Sequence, residues 1–296
     1  MTADLVAPAL LALVAATAGG WLRRRVAPRA AVVLLTALAV LGSAAVFWAL
    51  TLVVIGGAIG VPDLMKQFGW CHRVMAASHR APVGVAVLAG LLLVVGTFRA
   101  VRFDYRWRRS VQRYRSAAGG GGIEILATSE KVAFAAPGRP GTVVVSEGLL
   151  DILDEREGAA VIAHEQGHLA QNHSRYLRIA GLAAAAVPVL VPLTRQLRFA
   201  TERAADEAAV EAVGDRWVVA RAIVRAALVT NPAGAMAISG DSVASRVQEL
   251  VRPAATGWIA VAAGACGVAA ATATVTASTV QLHHLLAFGA HVCGLT

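Results

Sequence analysis

Residues 161–173 read Val-Ile-Ala-His-Glu-Gln-Gly-His-Leu-Ala-Gln-Asn-His. On a helix, positions four apart share a face, so His164 and His168 present both imidazoles to one point and can share one ion. Glu165 follows the first histidine and reaches a water bound to that ion. This is the HExxH pattern, in which the glutamate is the general base to a zinc-activated water. The bland alternative is two surface histidines beside a glutamate on an amphipathic helix, and the residues downstream weigh against it.

A catalytic zinc takes three protein ligands and keeps one position open. Residues 199–208 read Phe-Ala-Thr-Glu-Arg-Ala-Ala-Asp-Glu-Ala in a strongly helical stretch. Glu202 and Asp206 are four apart and face the same way. Glu202 is expected as the third ligand, and Asp206 as the acceptor that holds a ligand imidazole by its other N–H. Glu207 and Glu211 read as solvated helix charge. His173, five past His168, falls off the ligand face and reads as structural.

Upstream, 123–127 and 131–136 read as short strands. The turn Pro137-Gly138-Arg139-Pro140-Gly141 leads into a β-branched strand over 142–145, which predicts a hairpin whose edge can take an extended substrate as an added strand. Ser146 can cap a short helix. Asp154 with Glu157 forms a capping-box pattern that opens a helix running to about Tyr176.

Working outward, the rest of the chain is apolar. Of 296 residues 57% are hydrophobic and 15% charged, with 27 Lys and Arg against 18 Asp and Glu, a net charge of +9. Soluble domains carry roughly 25% charged residues, so this composition points to an integral membrane protein and excludes a disordered chain. Three cysteines exclude a disulfide-stapled secreted scaffold. Uncharged stretches at 5–22, 30–61, 81–98 and 254–280 predict four transmembrane helices, since about 20 apolar residues cross a bilayer. Arg23, Arg24, Arg25 and Arg29 follow the first stretch, and Arg99, Arg102, Arg106, Arg108, Arg109, Arg113 and Arg115 follow the third. Only Lys66, Arg73 and Arg80 occupy the loop between the second and third. The positive-inside rule then puts 99–252 in the cytoplasm and the N-terminus outside. Arg interleaved with Phe103, Tyr105, Trp107 and Tyr114 reads as a juxtamembrane helix on anionic headgroups, not as a nucleic-acid surface. Cys71 and Cys293, with His72, His79, His283, His284 and His291, then fall at or near the outer face.

Three regions follow: 1–118, a membrane region with three transmembrane helices and an Arg-rich juxtamembrane segment; 119–252, a cytoplasmic catalytic domain entered through the glycines at 119–122; and 253–296, a C-terminal transmembrane helix with a short tail. The apolar stretch 179–193 is long enough to suggest a further span. Glu202, however, lies nine residues beyond Leu193, and nine residues reach at most about 30 Å. Bare extended backbone does not return through lipid. If Glu202 joins the histidines, 179–193 is a re-entrant or buried hairpin, and Pro188 and Pro192 suit its bend.

His164-Glu165-x-x-His168 followed by Glu202-x-x-x-Asp206 resembles the gluzincin integral membrane metallopeptidases, of the BlaR/MecR antirepressor type and the HtpX/CaaX-processing type. Val144-Val145-Ser146-Glu147-Gly148-Leu149-Leu150 is similar to the strand–turn–helix that precedes the motif in both, and Ser245-Arg246-Val247-Gln248-Glu249-Leu250 to an Arg-containing helix of the HtpX type. The resemblance covers about 120–250. It implies a mainly α fold: multi-pass transmembrane helices plus a small α+β zincin-like cytoplasmic domain built on the hairpin and the HExxH helix. It also implies a Zn²⁺-dependent endopeptidase acting on a protein substrate, either a cytoplasmic repressor or a membrane protein. The penicillin-binding sensor of full BlaR proteins is absent from this sequence. No histidine lies at 228–232, where some HtpX-type enzymes carry a transition-state donor, and Arg246 is the substitute expected for that role. The alternatives are HtpX-like quality control of membrane proteins and a non-catalytic metal-binding sensor or scaffold.

Overall fold

The structure is a computed structural model that describes residues 26–59, 82–118, 120–230 and 239–252, with isolated positions between 258 and 276. The expected spans at 5–22 and 254–280, the 62–80 loop, and Cys71, Cys293 and the outer histidines lie wholly or largely outside the described residues.

Among the described residues, two long helices form the apolar part. Helix α1 (Pro28–Ile59) and helix α2 (Val83–Ala117) are both long and apolar enough to cross a membrane, with windows of mean hydropathy 2.4 and 2.1. They run antiparallel: Gly57 meets Ala86, Gly90 faces Val54, and Gly96 faces Phe47. Small residues at these crossings let the backbones approach, as lipid-embedded helix pairs do. Around the outer half of α2, Val85, Leu88, Leu91, Leu92, Val94 and Phe98 are exposed, an apolar surface that suits lipid. The helix does not stop where charge begins at Arg99. It continues through the Arg-rich stretch to Ala117 as one rod.

After the turn at Gly121 and Gly122, both at positive φ, comes a three-stranded sheet of order β1-β3-β2. Strand β1 (Gly122–Leu126) pairs in parallel with β3 (Thr142–Ser146), and β2 (Ala133–Ala136) pairs with β3 antiparallel, Phe134 opposite Val144. The expected hairpin is therefore β2–β3, with β3 central and fully buried and β2 an edge. The Ser146 hydroxyl accepts from the amides of Leu149 and Val132, which starts the short helix α3 (Glu147–Leu150).

Helix α4 (Glu155–Ala170) opens with the expected capping box: the Asp154 carboxylate accepts from the Glu157 amide at 2.8 Å, and the Glu157 carboxylate accepts from the Asp154 amide at 3.1 Å. The buried Glu157 carboxylate also accepts from Arg221 and Arg225. The helix does not run on to Tyr176. It ends at Gln171, Asn172 takes a left-handed conformation (φ 53), and helix α5 (His173–Ala186) departs in a new direction. Asparagine tolerates that conformation better than most residues, a local choice that hydrophobic periodicity does not register.

Helix α5, a 3₁₀ turn at Pro188–Leu190 and helix α6 (Val191–Val213) form a hairpin. The hairpin goes out and comes back, so Glu202 returns to the level of the histidines, the arrangement expected of a buried or re-entrant 179–193. Ala180, Ala184, Leu190, Leu193 and Leu197 pack on Val32, Leu35, Leu38 and Ala39 of α1. Each such leucine contributes roughly 1.5–3 kcal/mol. Its tip lies level with the start of charge on α2: Arg99 Nε donates to the Ala185 carbonyl at 2.9 Å. Arg178 and Asp104 tie α5 to α2. Helices α7 (Arg216–Thr230) and α8 (Ser239–Val251) complete a second core around Ala163, Ala209, Val218, Val219 and Leu250.

Candidate metal centre

The site forms where α4 crosses α6. Gly167 sits at the crossing: a Cβ there would lie 3.0 Å from the Ala208 Cβ and 3.3 Å from the Ala205 Cα. The absence of a side chain beside His168 is what brings the HExxH helix onto the Glu202 helix. At this crossing the Nε2 atoms of His164 and His168 lie 3.2 Å apart. The Glu202 carboxylate closes the triangle, 3.6 Å from each of them. Donors about 2.0–2.2 Å from a tetrahedral zinc sit roughly 3.3–3.6 Å from one another, so two neutral nitrogens and one carboxylate at these separations fit the ion. The group His164, His168 and Glu202 could hold a metal.

Each ligand atom is oriented from behind. His164 turns Nδ1 to Asp206 Oδ1 at 2.9 Å. Asp206 is buried and is gripped by Arg246, whose Nε and Nη2 donate at 2.9 and 2.6 Å. Arg246 Nη1 reaches Glu202 Oε2 at 3.0 Å. The guanidinium expected as a transition-state donor thus spends its fork on the two carboxylates of α6. Arg203 on α6 pairs with Glu249 on α8 at 2.9 Å, so α8 is latched to the Glu202 helix at two points. His168 turns its Nδ1 to Nδ1 of His173 at 2.9 Å. His173 is 1% exposed. Sequence reading placed it off the ligand face, and on a continuous helix it would be. The left-handed Asn172 swings it back against His168.

These contacts set the charges. Burial works against a charge on His164, but Asp206 and Glu202 outweigh it and push the imidazole up to about 10. Glu202 is held well below the ordinary carboxylate range by His164 and Arg246 despite its burial. Asp206 is lowered likewise, with Arg246 the largest favourable cause against burial. His168 and His173 are pulled down to about 4, chiefly by burial. Burial raises Glu165, the direction that suits a base working near neutrality.

The centre opens into a cleft of about 800 Å³. One wall is β2, whose free edge carries the Ala135 backbone group that hydrogen-bonds Glu165. A second wall is the charged half of α2, through Trp107, Val111 and Tyr114, whose ring packs on Phe134 of β2. The Glu202 side chain is 38% exposed and lines this space, so a metal held there could also take a water or a substrate. Sequence reading took His173 as structural without seeing its contact with His168, and it missed the α2 wall. The aromatics Trp107 and Tyr114 were legible as part of a juxtamembrane helix, but not what that helix would face.

No curated protein and no solved structure matches the chain. Residues 122–191, which include His164, Glu165 and His168 but stop short of Glu202, match the model of peptidase family M48, and this similarity supports a metallopeptidase function.

Proposed function

We propose that this chain is a membrane-embedded zinc endopeptidase that cleaves a regulatory or membrane-associated protein on the cytoplasmic side. The observation that carries the reading is the convergence of His164 Nε2, His168 Nε2 and the Glu202 carboxylate, with Glu165 beside them, at the floor of a cleft bounded by a free strand edge. His164, His168 and Glu202 would hold the zinc, which supplies a Lewis acid that polarises a carbonyl and lowers the pKa of a coordinated water. Glu165 takes the proton of the attacking water and passes it to the leaving amine. The β2 edge aligns the substrate backbone as an added strand. Asp206 fixes the His164 ring, and Arg246 fixes Asp206 and Glu202 together, as a positioning residue. The Arg-rich segments 23–29 and 99–115 support the cytoplasmic side. The continuity of α2 from apolar helix to cleft wall favours a substrate presented near the membrane.

The test is cleavage of an unfolded protein by the full chain in detergent with zinc, comparing wild type with Glu165→Ala. Cleavage by wild type and not by the variant, with both binding zinc, supports the reading. Equal zinc binding with no cleavage by either would favour the sensor or scaffold.

A further inference from the structure

The arginines around the centre are nearly all matched to carboxylates: Arg246 to Asp206 and Glu202, Arg203 to Glu249, Arg178 to Asp104, Arg221 and Arg225 to Glu157, Arg216 to Glu207. Arg198 is different. It lies one turn before Glu202 on α6 and lines the cleft, and among the described residues its guanidinium has no carboxylate partner. A Glu at i+4 is the ordinary partner for an Arg on a helix, but Glu202 is drawn away to Arg246 and the two imidazoles. This leaves an exposed cation inside the cleft, one helical turn from the reacting position.

We infer that Arg198 selects substrates bearing a carboxylate within two residues of the scissile bond. A helical turn advances 5.4 Å and an extended strand about 3.3 Å per residue. Arg198 and the β2 residues Ala133, Phe134 and Ala135 line the same cleft, so a peptide lying along β2 with its scissile carbonyl at the centre would present a side chain one or two residues away to Arg198. An aspartate or glutamate there gains a charge-assisted hydrogen bond in a partly desolvated cleft, while a lysine meets an uncompensated like charge. The rest of the lining, Trp107, Tyr114 and Phe134, offers apolar contact, and among the described residues it holds no second arginine or lysine. The substrate class is an extended segment with an acidic residue beside the cleaved bond and apolar or aromatic residues around it. This rests on the peptidase reading of the same cleft.

The experiment uses the full-length zinc-loaded protein in detergent and internally quenched peptides that differ only in Glu, Gln or Lys at each position flanking the cleaved bond. Wild type is expected to prefer Glu over Gln by tenfold or more in kcat/KM at one position. Arg198→Glu is expected to reverse that order in favour of Lys, and Arg198→Gln to level it. An unchanged ranking in both variants would overturn the assignment. The same peptides are titrated by fluorescence anisotropy against the Glu165→Gln background, with and without Arg198→Glu. If wild type cleaves nothing, the peptidase reading fails, and the Glu-to-Lys affinity ratio still decides the role of Arg198.

Discussion

The Nδ1 atoms of His168 and His173 lie 2.9 Å apart, deep in the fold. With a metal bound at Nε2 of His168, the proton of the neutral ring would sit on Nδ1, where His173 would accept it. A carboxylate or a backbone carbonyl more often fills this place behind a metal-binding histidine. A neutral imidazole adds no charge to a site that already holds Glu202, Asp206 and Glu165.

Replacing His173 by alanine is therefore expected to weaken zinc binding by about 10–100-fold without changing how many ions bind. Competition with a chromophoric chelator measures this. Unchanged affinity would show that His173 only fills space.

Arg246 touches both carboxylates of α6 through separate nitrogens. As a positioning residue, its change to methionine lowers zinc affinity together with kcat. Acting instead as an oxyanion donor, it would lower kcat by about 10²–10³-fold and leave zinc affinity as it was. Lysine would rescue little, because the forked guanidinium geometry is lost.

How far was this visible in the sequence? His164, Glu165 and His168 were, because a spacing of four on one helix is a local property. Glu202 and Asp206 were legible as a second pair at the same spacing, and once Glu202 was taken to join the histidines, the return of 179–193 followed from chain reach and the exclusion of bare backbone from lipid. The capping box at Asp154 and Glu157 and the β2–β3 turn were equally local. What stayed hidden depends on single backbone torsions and on packing between distant segments. Asn172 at positive φ brings His173 against His168, and the juxtamembrane helix becomes a cleft wall through contacts between distant segments, among them Arg178–Asp104, Phe103 against Gly181 and Tyr114 on Phe134.

The charge pattern gives a pH signature in the metal-free protein. His164, raised from 6.5 to about 10, contributes stability that is complete below 6.5 and is lost as pH climbs through 10. His168 and His173, lowered from 6.5 to about 4, favour folding only when neutral, so stability rises as pH goes from 4 to 6.5. Thermal unfolding in detergent should peak between these windows, near pH 6.5–7. Adding zinc at pH 7.5 should release about one proton per ion, from His164, since Glu202 is already ionised and His168 already neutral. Calorimetry in buffers of different ionisation enthalpy counts it. A count of zero would mean that His164 is neutral before the metal arrives.

Gly167 is the contact that lets α4 and α6 touch. Gly167→Val should push the helices apart, costing about 1–3 kcal/mol of stability and at least tenfold in zinc affinity. Gly84, with nothing near its Cβ, is the control position: Gly84→Val should change neither.

The most direct measurement is the zinc K-edge absorption spectrum of the purified full chain, with metal content, for wild type and His168→Ala. One ion per chain is expected, with nitrogen and oxygen neighbours at about 2.0–2.1 Å, a two-imidazole signature in wild type, and loss of the bound ion in the variant. One ion bound equally by both, or an ion with sulfur neighbours, would contradict a metal centre at His164, His168 and Glu202.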